Sequence, residues 1–317
     1  MTDKVVIITG GTSGLGYQTA LASIHNYPDS KIIITGRGKD SSQRAADKIN
    51  RITGTSNCEG VALDLSSFQS IIDFADLFGG RNKRDITTLI CNAGVQKVNG
   101  LSFTQDGLEM TFGVNHIGHF LLAHLLLPSL LPAGQIIFVA SDTHDPTRKT
   151  GMPAPRLSDI SSLAYPTVED KTEDAGELGR IRYTTSKLCN VMCALEFPKR
   201  LQGQYADIRV NAFNPGLMLD TDLVRDYSKL QLMKLTLQNL KYFPPQILRR
   251  NSSVKMGQAL AKLALSQKSK SVTGKYFDGF NEATPSAEAR NELLAARLWD
   301  ESIKICQLNN QYDRRCG

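Results

Sequence analysis

The feature that most restricts this chain is the run Thr9-Gly10-Gly11-Thr12-Ser13-Gly14-Leu15-Gly16. It lies directly behind the apolar segment Val5-Val6-Ile7-Ile8 and opens a helical pattern over residues 16–23. Strand, glycine turn and helix in that order begin a βαβ unit that holds a dinucleotide. Gly10 permits the tight turn, Gly14 lets the backbone approach a pyrophosphate, and Gly16 lets the helix pack close to the sheet. Helix N–H groups then face the phosphate charge. Gly10, Thr12, Ser13, Gly14, Leu15 and Gly16 are therefore the candidate pyrophosphate-site residues. A glycine cluster elsewhere would read as a turn; its place after the first strand gives it meaning.

The rest of the chain continues the rhythm. Strand patterns fall at 5–9, 31–35, 60–64, 88–92, 135–141, 207–214 and 272–277, with helical patterns at 42–51, 68–77, 108–130, 183–201 and 286–307 between and after them. Several strands are continuous Val/Ile/Leu runs, as expected when helices cover both sheet faces. The alternation predicts a Rossmann-type α/β fold: a doubly wound parallel sheet of about seven strands with helices on both faces. A single domain spanning residues 1–317 accommodates it. Two stretches interrupt the pattern, a polar, proline-bearing one at 143–180 and a Leu/Met-rich one at 217–250. Both follow strand C-termini, where open α/β sheets bind ligands, so both are expected to be substrate-site insertions.

Composition narrows the function classes. The chain is 41% hydrophobic and 21% charged with a net charge of +6, which is a globular composition. That modest basic excess suits an anionic cofactor and is too scattered for nucleic acid. No export signal is read at the N-terminus, because glycines interrupt the apolar run at once. The six cysteines (58, 91, 189, 193, 306 and 316) lack paired metal-ligand spacing, so no metal site is expected. Free thiols in a reducing, cytoplasmic compartment are the reading they favour. The apolar stretch 117–131 is broken by His119, His124 and Pro128 and reads as a buried helix rather than a membrane span.

The end of the second strand selects the cofactor. An NAD site places an acid there for the ribose 2′-OH, whereas this chain has Thr35-Gly36-Arg37-Gly38-Lys39. Arg37 can pair with a 2′-phosphate and Lys39 adds charge, so NADP(H) is expected. The plain alternative is two solvated bases after a strand.

TGGTSGLG at 9–16, LDL at 63–65, CNAG at 91–94, NHIGH at 115–119, VAS at 139–141, YTTSK at 183–187 and NPG at 214–216 follow one another in this order. In these motifs the chain resembles the short-chain dehydrogenase/reductase family over nearly its whole length. The resemblance implies an active-site tetrad of Asn115, Ser141, Tyr183 and Lys187. It implies that Asp64 and Leu65 flank the adenine, that Asn92, Ala93 and Gly94 brace the central strand beside the cofactor, and that Pro215 and Gly216 border the nicotinamide. Lys187 would also hold the nicotinamide ribose, and Asn115 would support a water that relays a proton through Lys187.

The chemistry is consistent with the residue types. Tyr183 and Lys187 are spaced i, i+4 and share a helix face. A phenol with an ordinary pKa of about 10 is a poor base at neutral pH. A neighbouring ammonium favours tyrosinate and suits Tyr183 to pass a proton while nicotinamide passes a hydride. Ser141, ending a strand, would hydrogen-bond the substrate oxygen. Singly, each residue also fits a surface pair, a turn serine or a helix-interior amide; jointly and in order they read as a site.

Other candidates default to packing: His116 and His119 in an apolar helix, Cys189 and Cys193 beside Tyr183, and Trp299 in the last helix. His144 is a candidate for the substrate mouth. The 41 residues between Ser141 and Tyr183 form a long connection. Within the family, such insertions occur in retinol-dehydrogenase-like, carbonyl-reductase-like and protochlorophyllide-reductase-like members, and segments 107–122 and 183–197 resemble the last. Leu217, however, stands where the light-dependent reductases carry a cysteine after Pro-Gly, and its place marks it as a substrate-side residue.

The expected activity is thus an NADP(H)-dependent oxidoreductase acting on a carbonyl or alcohol of a bulky lipophilic small molecule. The alternatives are a light-dependent protochlorophyllide-type C=C reductase and a catalytically silent NADP(H)-binding sensor or scaffold. The apolar 217–250 stretch fits a lipophilic pocket, ordinary core packing, or weak peripheral contact with a membrane. Whether helices 108–130 and 183–201 form the family's homo-oligomer bundle is left open by the sequence.

Overall fold

Val5, Val6, Ile7 and Ile8 are all buried, and they divide between two cores, Val5 and Ile7 on one face and Val6 and Ile8 on the other. A strand alternates its side chains, so an unbroken apolar run requires cover on both faces. The computed structural model describes residues 4–79, 86–157, 159–166, 174–218, 251–266 and 271–308. Among these, β1 (Lys4–Ile8), β2 (Ser30–Gly36), β3 (Cys58–Ala62), β4 (Ile86–Cys91), β5 (Leu130–Val139), β6 (Arg209–Asn214), β7 (Lys275–Asp278) and β8 (Asn281–Ala283) form one sheet. Its order is β3-β2-β1-β4-β5-β6-β7-β8. All neighbours are parallel except β7 and β8.

The sheet thus has eight strands rather than about seven. The eighth is a three-residue antiparallel return made possible by the positive φ of Gly279, 60°. The strand order reverses between β1 and β4, which places a crevice at their C-terminal ends.

On one face α1 (Gly14–Asn26), α2 (Lys39–Thr53) and α8 (Ser253–Leu265) supply Leu15, Ile24, Ile49, Met256 and Leu260 to the core. Helices α1 and α8 approach closely: a methyl group on Gly257 would lie 2.7 Å from the backbone of Gln18. On the other face lie α3 (Phe68–Asp76), α5 (Gly118–Leu126), α7 (Ala175–Arg200) and α9 (Glu292–Ile305). Phe74, Phe120, Phe197 and Trp299 lead that core, with Trp299 edge-on to Phe197 at a centroid distance of 4.8 Å.

Several boundaries differ from the sequence pattern for local reasons. The helical stretch read at 108–130 is α4 (Met110–Phe112), a π-helical turn (Gly113–Ile117), α5 and a 3-10 turn (Leu127–Ser129). It is buried inside the fold. The last helix starts at Glu292 rather than near Ser286, because Asn291 accepts a hydrogen bond from Leu294 N–H and caps it. Asp64 falls outside β3; its Oδ1 accepts from the N–H and hydroxyl of Ser66.

In the 143–180 stretch, the described part carries α6 (Ile160–Ala164), whose Ile160 and Ala164 enter the core. Arg156 N–H donates to Thr185 Oγ1 on α7 at 2.9 Å. The 217–250 stretch, apart from Leu217 and Met218, lies outside the described residues. Cys58, Cys91, Cys189, Cys193 and Cys306 are free and buried; Cys316 lies outside the described residues.

Candidate active site

The glycine turn is clamped from the next strand. Asn92 Nδ2 donates to Thr9 O at 2.7 Å and to Gly10 O at 3.2 Å, while Asn92 N–H and Ala93 N–H both donate to Thr9 Oγ1 at 2.9 Å. Gly10 has φ +64°, and a methyl group there would lie 2.9 Å from Ala93 Cα. Gly16 would place one 2.6 Å from Asn92 Nδ2, so glycine is what allows α1 to start against β4. Ser13, the N-cap of α1, makes no side-chain capping bond. These features fit a pyrophosphate: a backbone cradle that side chains would fill, ahead of a helix start with donors to spare.

The β2 end carries a second constraint. Gly36, its last residue, lies so near Thr12 and Ser42 that a methyl group would stand 2.8 Å from Thr12 Cγ2 and 3.0 Å from Ser42 Oγ. A larger side chain at that position would press on the Thr12 and Ser42 side chains, which would have to shift to admit it. Arg37 and Lys39 follow and are exposed, Lys39 at the first position of α2. Leu65 is buried under α5, where a methyl group on Gly118 would meet Leu65 O at 2.6 Å.

The π-helical turn presents Asn115 to the loop after β4. Asn115 Oδ1 accepts from Val95 N–H at 2.8 Å, and Nδ2 donates to Val95 O at 2.9 Å and to Ser186 Oγ at 3.0 Å. Ser186 in turn donates to Tyr183 O at 2.7 Å. This ties Asn115 to α7 one residue from Lys187. Gly94 lies beside both: a methyl group there would be in ordinary contact with Asn115 Oδ1 at 3.4 Å and Lys187 Nζ at 3.7 Å.

Lys187 is buried, its Nζ 5.6 Å from the Tyr183 ring centre, and it donates to Val139 O at 3.0 Å. Burial pulls its pKa down to about 8. Tyr183 is also buried, and the 3-10 turn at Asp142–His144 packs on the same helix, carrying Ser141 alongside. Ser141 Oγ donates to Asp142 Oδ1 at 3.2 Å and accepts from Thr143 N–H at 3.3 Å.

A family model for short chain dehydrogenase matches residues 4–151. Retinol dehydrogenase 13 of Homo sapiens is 34% identical over 310 residues, covering 96% of this chain and 85% of that protein. This chain belongs to the short-chain dehydrogenase/reductase family. Short-chain dehydrogenase TIC 32 A, chloroplastic, of Brassica napus is 32% identical over 309 residues, covering 95% of this chain and 88% of that protein. Among solved structures, an uncharacterized protein from Mycobacterium Paratuberculosis aligns with a TM-score of 0.69 at 24% identity, covering 96% of this chain and 94% of that one. That likeness supports the fold. As a member of the family the protein is an oxidoreductase that binds a nicotinamide cofactor and a small-molecule substrate.

Within this short-chain dehydrogenase/reductase, the turn expected to border a nicotinamide is held by two asparagine side chains. Asn214 Oδ1 accepts from Asp142 N–H at 3.0 Å and Gly216 N–H at 2.8 Å, joining the Ser141 turn to the Pro215-Gly216 turn. Asn251 Nδ2 donates to Pro215 O at 2.7 Å and Asn251 N–H to Leu217 O at 3.0 Å. Asn214 lay inside a named motif, but nothing local marks Asn251, which arrives from a distant segment. Leu217 is partly exposed beside this turn.

His144 is placed differently from the expectation of a substrate-mouth residue. It is buried, its Nδ1 donates to Ser141 O at 2.6 Å, and its Nε2 accepts from Ser286 N–H at 3.2 Å. With both ring nitrogens used, it anchors the Ser141 turn to the C-terminal segment. Burial lowers its pKa.

Proposed function

We propose that this protein is an NADP(H)-dependent oxidoreductase that interconverts a carbonyl and an alcohol on a bulky lipophilic small molecule, with Tyr183 as general acid and base. The observation that carries the reading is the buried group of Tyr183, Lys187 and Asn115 beside a glycine cradle that fits a dinucleotide. A buried ammonium next to a phenol favours the tyrosinate form, which lets the phenol exchange a proton with a substrate oxygen near neutral pH.

When bound, the nicotinamide supplies or accepts the hydride. The chain's own residues do the rest. The α1 N-terminus would hold the pyrophosphate, and Arg37 with Lys39 would pair with the 2′-phosphate, glycine at position 36 leaving no acid for an NAD-type site. Lys187, released from Val139 O, reaches the ribose and keeps Tyr183 poised for proton exchange. Ser141 turns its hydroxyl from Asp142 to the substrate oxygen and steadies the charge that develops there.

A lipophilic substrate is supported by the relative named for retinol and by the apolar composition of 217–250. The buried free thiols support a reducing, cytoplasmic setting. The reading is tested by titrating NADPH and NADH against the protein and by assaying a panel of lipophilic aldehydes and alcohols. NADPH should bind more tightly, and Tyr183→Phe should abolish turnover without weakening NADPH binding. Wild-type turnover by Tyr183→Phe would refute the mechanism.

A further inference from the structure

His119 is wholly buried on α5 and touches both halves of the site. Its Nδ1 lies 3.1 Å from the carbonyl oxygen of Asn115, and its Nε2 lies 2.8 Å from Thr9 Oγ1. A carbonyl only accepts, so Nδ1 carries the proton. Thr9 Oγ1 has two lone pairs, and both are taken by the N–H groups of Asn92 and Ala93. Its own hydrogen is therefore available to Nε2, the bare nitrogen of that tautomer. Ile90 O, at 3.3 Å, is the longer alternative for the same hydrogen.

The shorter contact gives the Thr9 hydrogen to Nε2 and completes the chain. A protonated imidazole would break it, because Thr9 would then have to accept three hydrogen bonds. Burial independently favours the neutral ring, lowering its pKa to about 4, and the nearby Lys187 ammonium adds to this.

We propose that His119 is a positioning residue for the reaction, a neutral strut that transmits the state of the dinucleotide floor, through Thr9, to the main chain of Asn115. This deepens the oxidoreductase reading and rests on it. The floor is where Thr9 binds the Asn92-Ala93 backbone and Asn92 clamps Gly10. The far end is the turn whose Asn115 side chain holds Val95 and Ser186 beside Lys187. A shift of the floor by a bound cofactor would thus reach Asn115 through the imidazole, with no contact between His119 and substrate.

The two nitrogens can be tested separately. Asparagine at 119 retains a donor resembling Nδ1, while glutamine retains an acceptor resembling Nε2. With NADPH and all-trans-retinal as the probe pair, His119→Gln should lower kcat by at least about tenfold with the KM for NADPH unchanged, because Asn115 O loses its donor. His119→Asn keeps that donor but cuts the link to Thr9, so kcat should also fall by about tenfold with the KM for NADPH unchanged. A wild-type kcat in either variant, or a loss that appears as a rise in the KM for NADPH instead of a fall in kcat, would overturn the proposal.

Imidazole nitrogen NMR gives a readout independent of turnover. The wild-type resonance should be that of the Nδ1–H tautomer and should move on saturation with NADPH, with the movement lost in Thr9→Val. An Nε2–H tautomer, or a resonance indifferent to NADPH, would overturn the link. If retinal and the wider carbonyl panel are not reduced by wild-type protein, the oxidoreductase reading fails while the NMR result still decides the strut.

Discussion

Replacing His124 by asparagine should change how stability depends on acidity as well as stability itself. His124 is buried against Phe120, Phe197 and Trp299, with ring centres 4.2, 4.9 and 5.2 Å away. Its Nδ1 donates to Phe120 O at 2.7 Å. Burial lowers its pKa from 6.5 to about 4, the backbone bond opposing the shift only partly. The sign follows from which state binds protons. Above pH 6.5 neither state is charged and the neutral ring costs nothing. As pH falls below 6.5 the unfolded chain takes up a proton that the folded ring refuses until about pH 4, so stability is lost across that window.

At about pH 5 the unfolded ring is almost fully charged and the folded one almost fully neutral, which amounts to roughly 2 kcal/mol from this residue alone. Asparagine keeps a donor for Phe120 O and has no such titration. Near pH 7.5 the variant should be less stable by about 1–3 kcal/mol because ring contacts are lost. That deficit should shrink by roughly 2 kcal/mol by about pH 5. Urea unfolding of both proteins across this range measures it. Comparing two proteins cancels His116 and His119, also neutral by burial, and Glu109 and Asp142, whose carboxyls burial raises in the opposite sense. A deficit that stays constant with pH would refute the reasoning.

Arg37→Ala should weaken NADPH binding by about tenfold while leaving NADH unchanged, since only the 2′-phosphate is lost as a partner; fluorescence titration of both cofactors checks this. Gly179→Ala should impair catalysis from outside the site. The new methyl group would overlap the Lys97 carbonyl and press on Val98 Cα at 2.7 Å, shifting the segment whose Val95 grips Asn115. A fall in kcat with NADPH affinity retained is the expected result. Gly60→Ala should lower stability by about 2 kcal/mol or more, because its methyl group would overlap the Ser42 backbone of α2 rather than a yielding side chain; thermal melting reports it.

Much of this protein was already legible in the amino-acid order. The run Val5–Ile8 followed by the glycine turn demanded a strand covered on both faces and a helix opening on phosphate, because alternation and glycine's backbone freedom are local properties. The tyrosine and lysine four residues apart were readable for the same reason: a helix fixes their common face. The absence of an acid after β2 was likewise a matter of order alone.

Only the tertiary structure could decide what happens where distant segments meet. The helix over 108–130 looked continuous, yet it contains a π-helical turn at Asn115, whose side chain is bonded to a loop twenty residues earlier and a helix seventy-one residues later. His119 read as packing within an apolar helix, and His144 as a candidate for the substrate mouth. Their partners across the fold, Thr9 and Ser286, lie 110 and 142 residues away, and those contacts supply the donor that each bare Nε2 accepts. Sequence determines what each segment is able to do alone. Which donor meets which acceptor in a buried, water-free space is settled by packing, because there an unpaired polar group is too costly to leave unsatisfied.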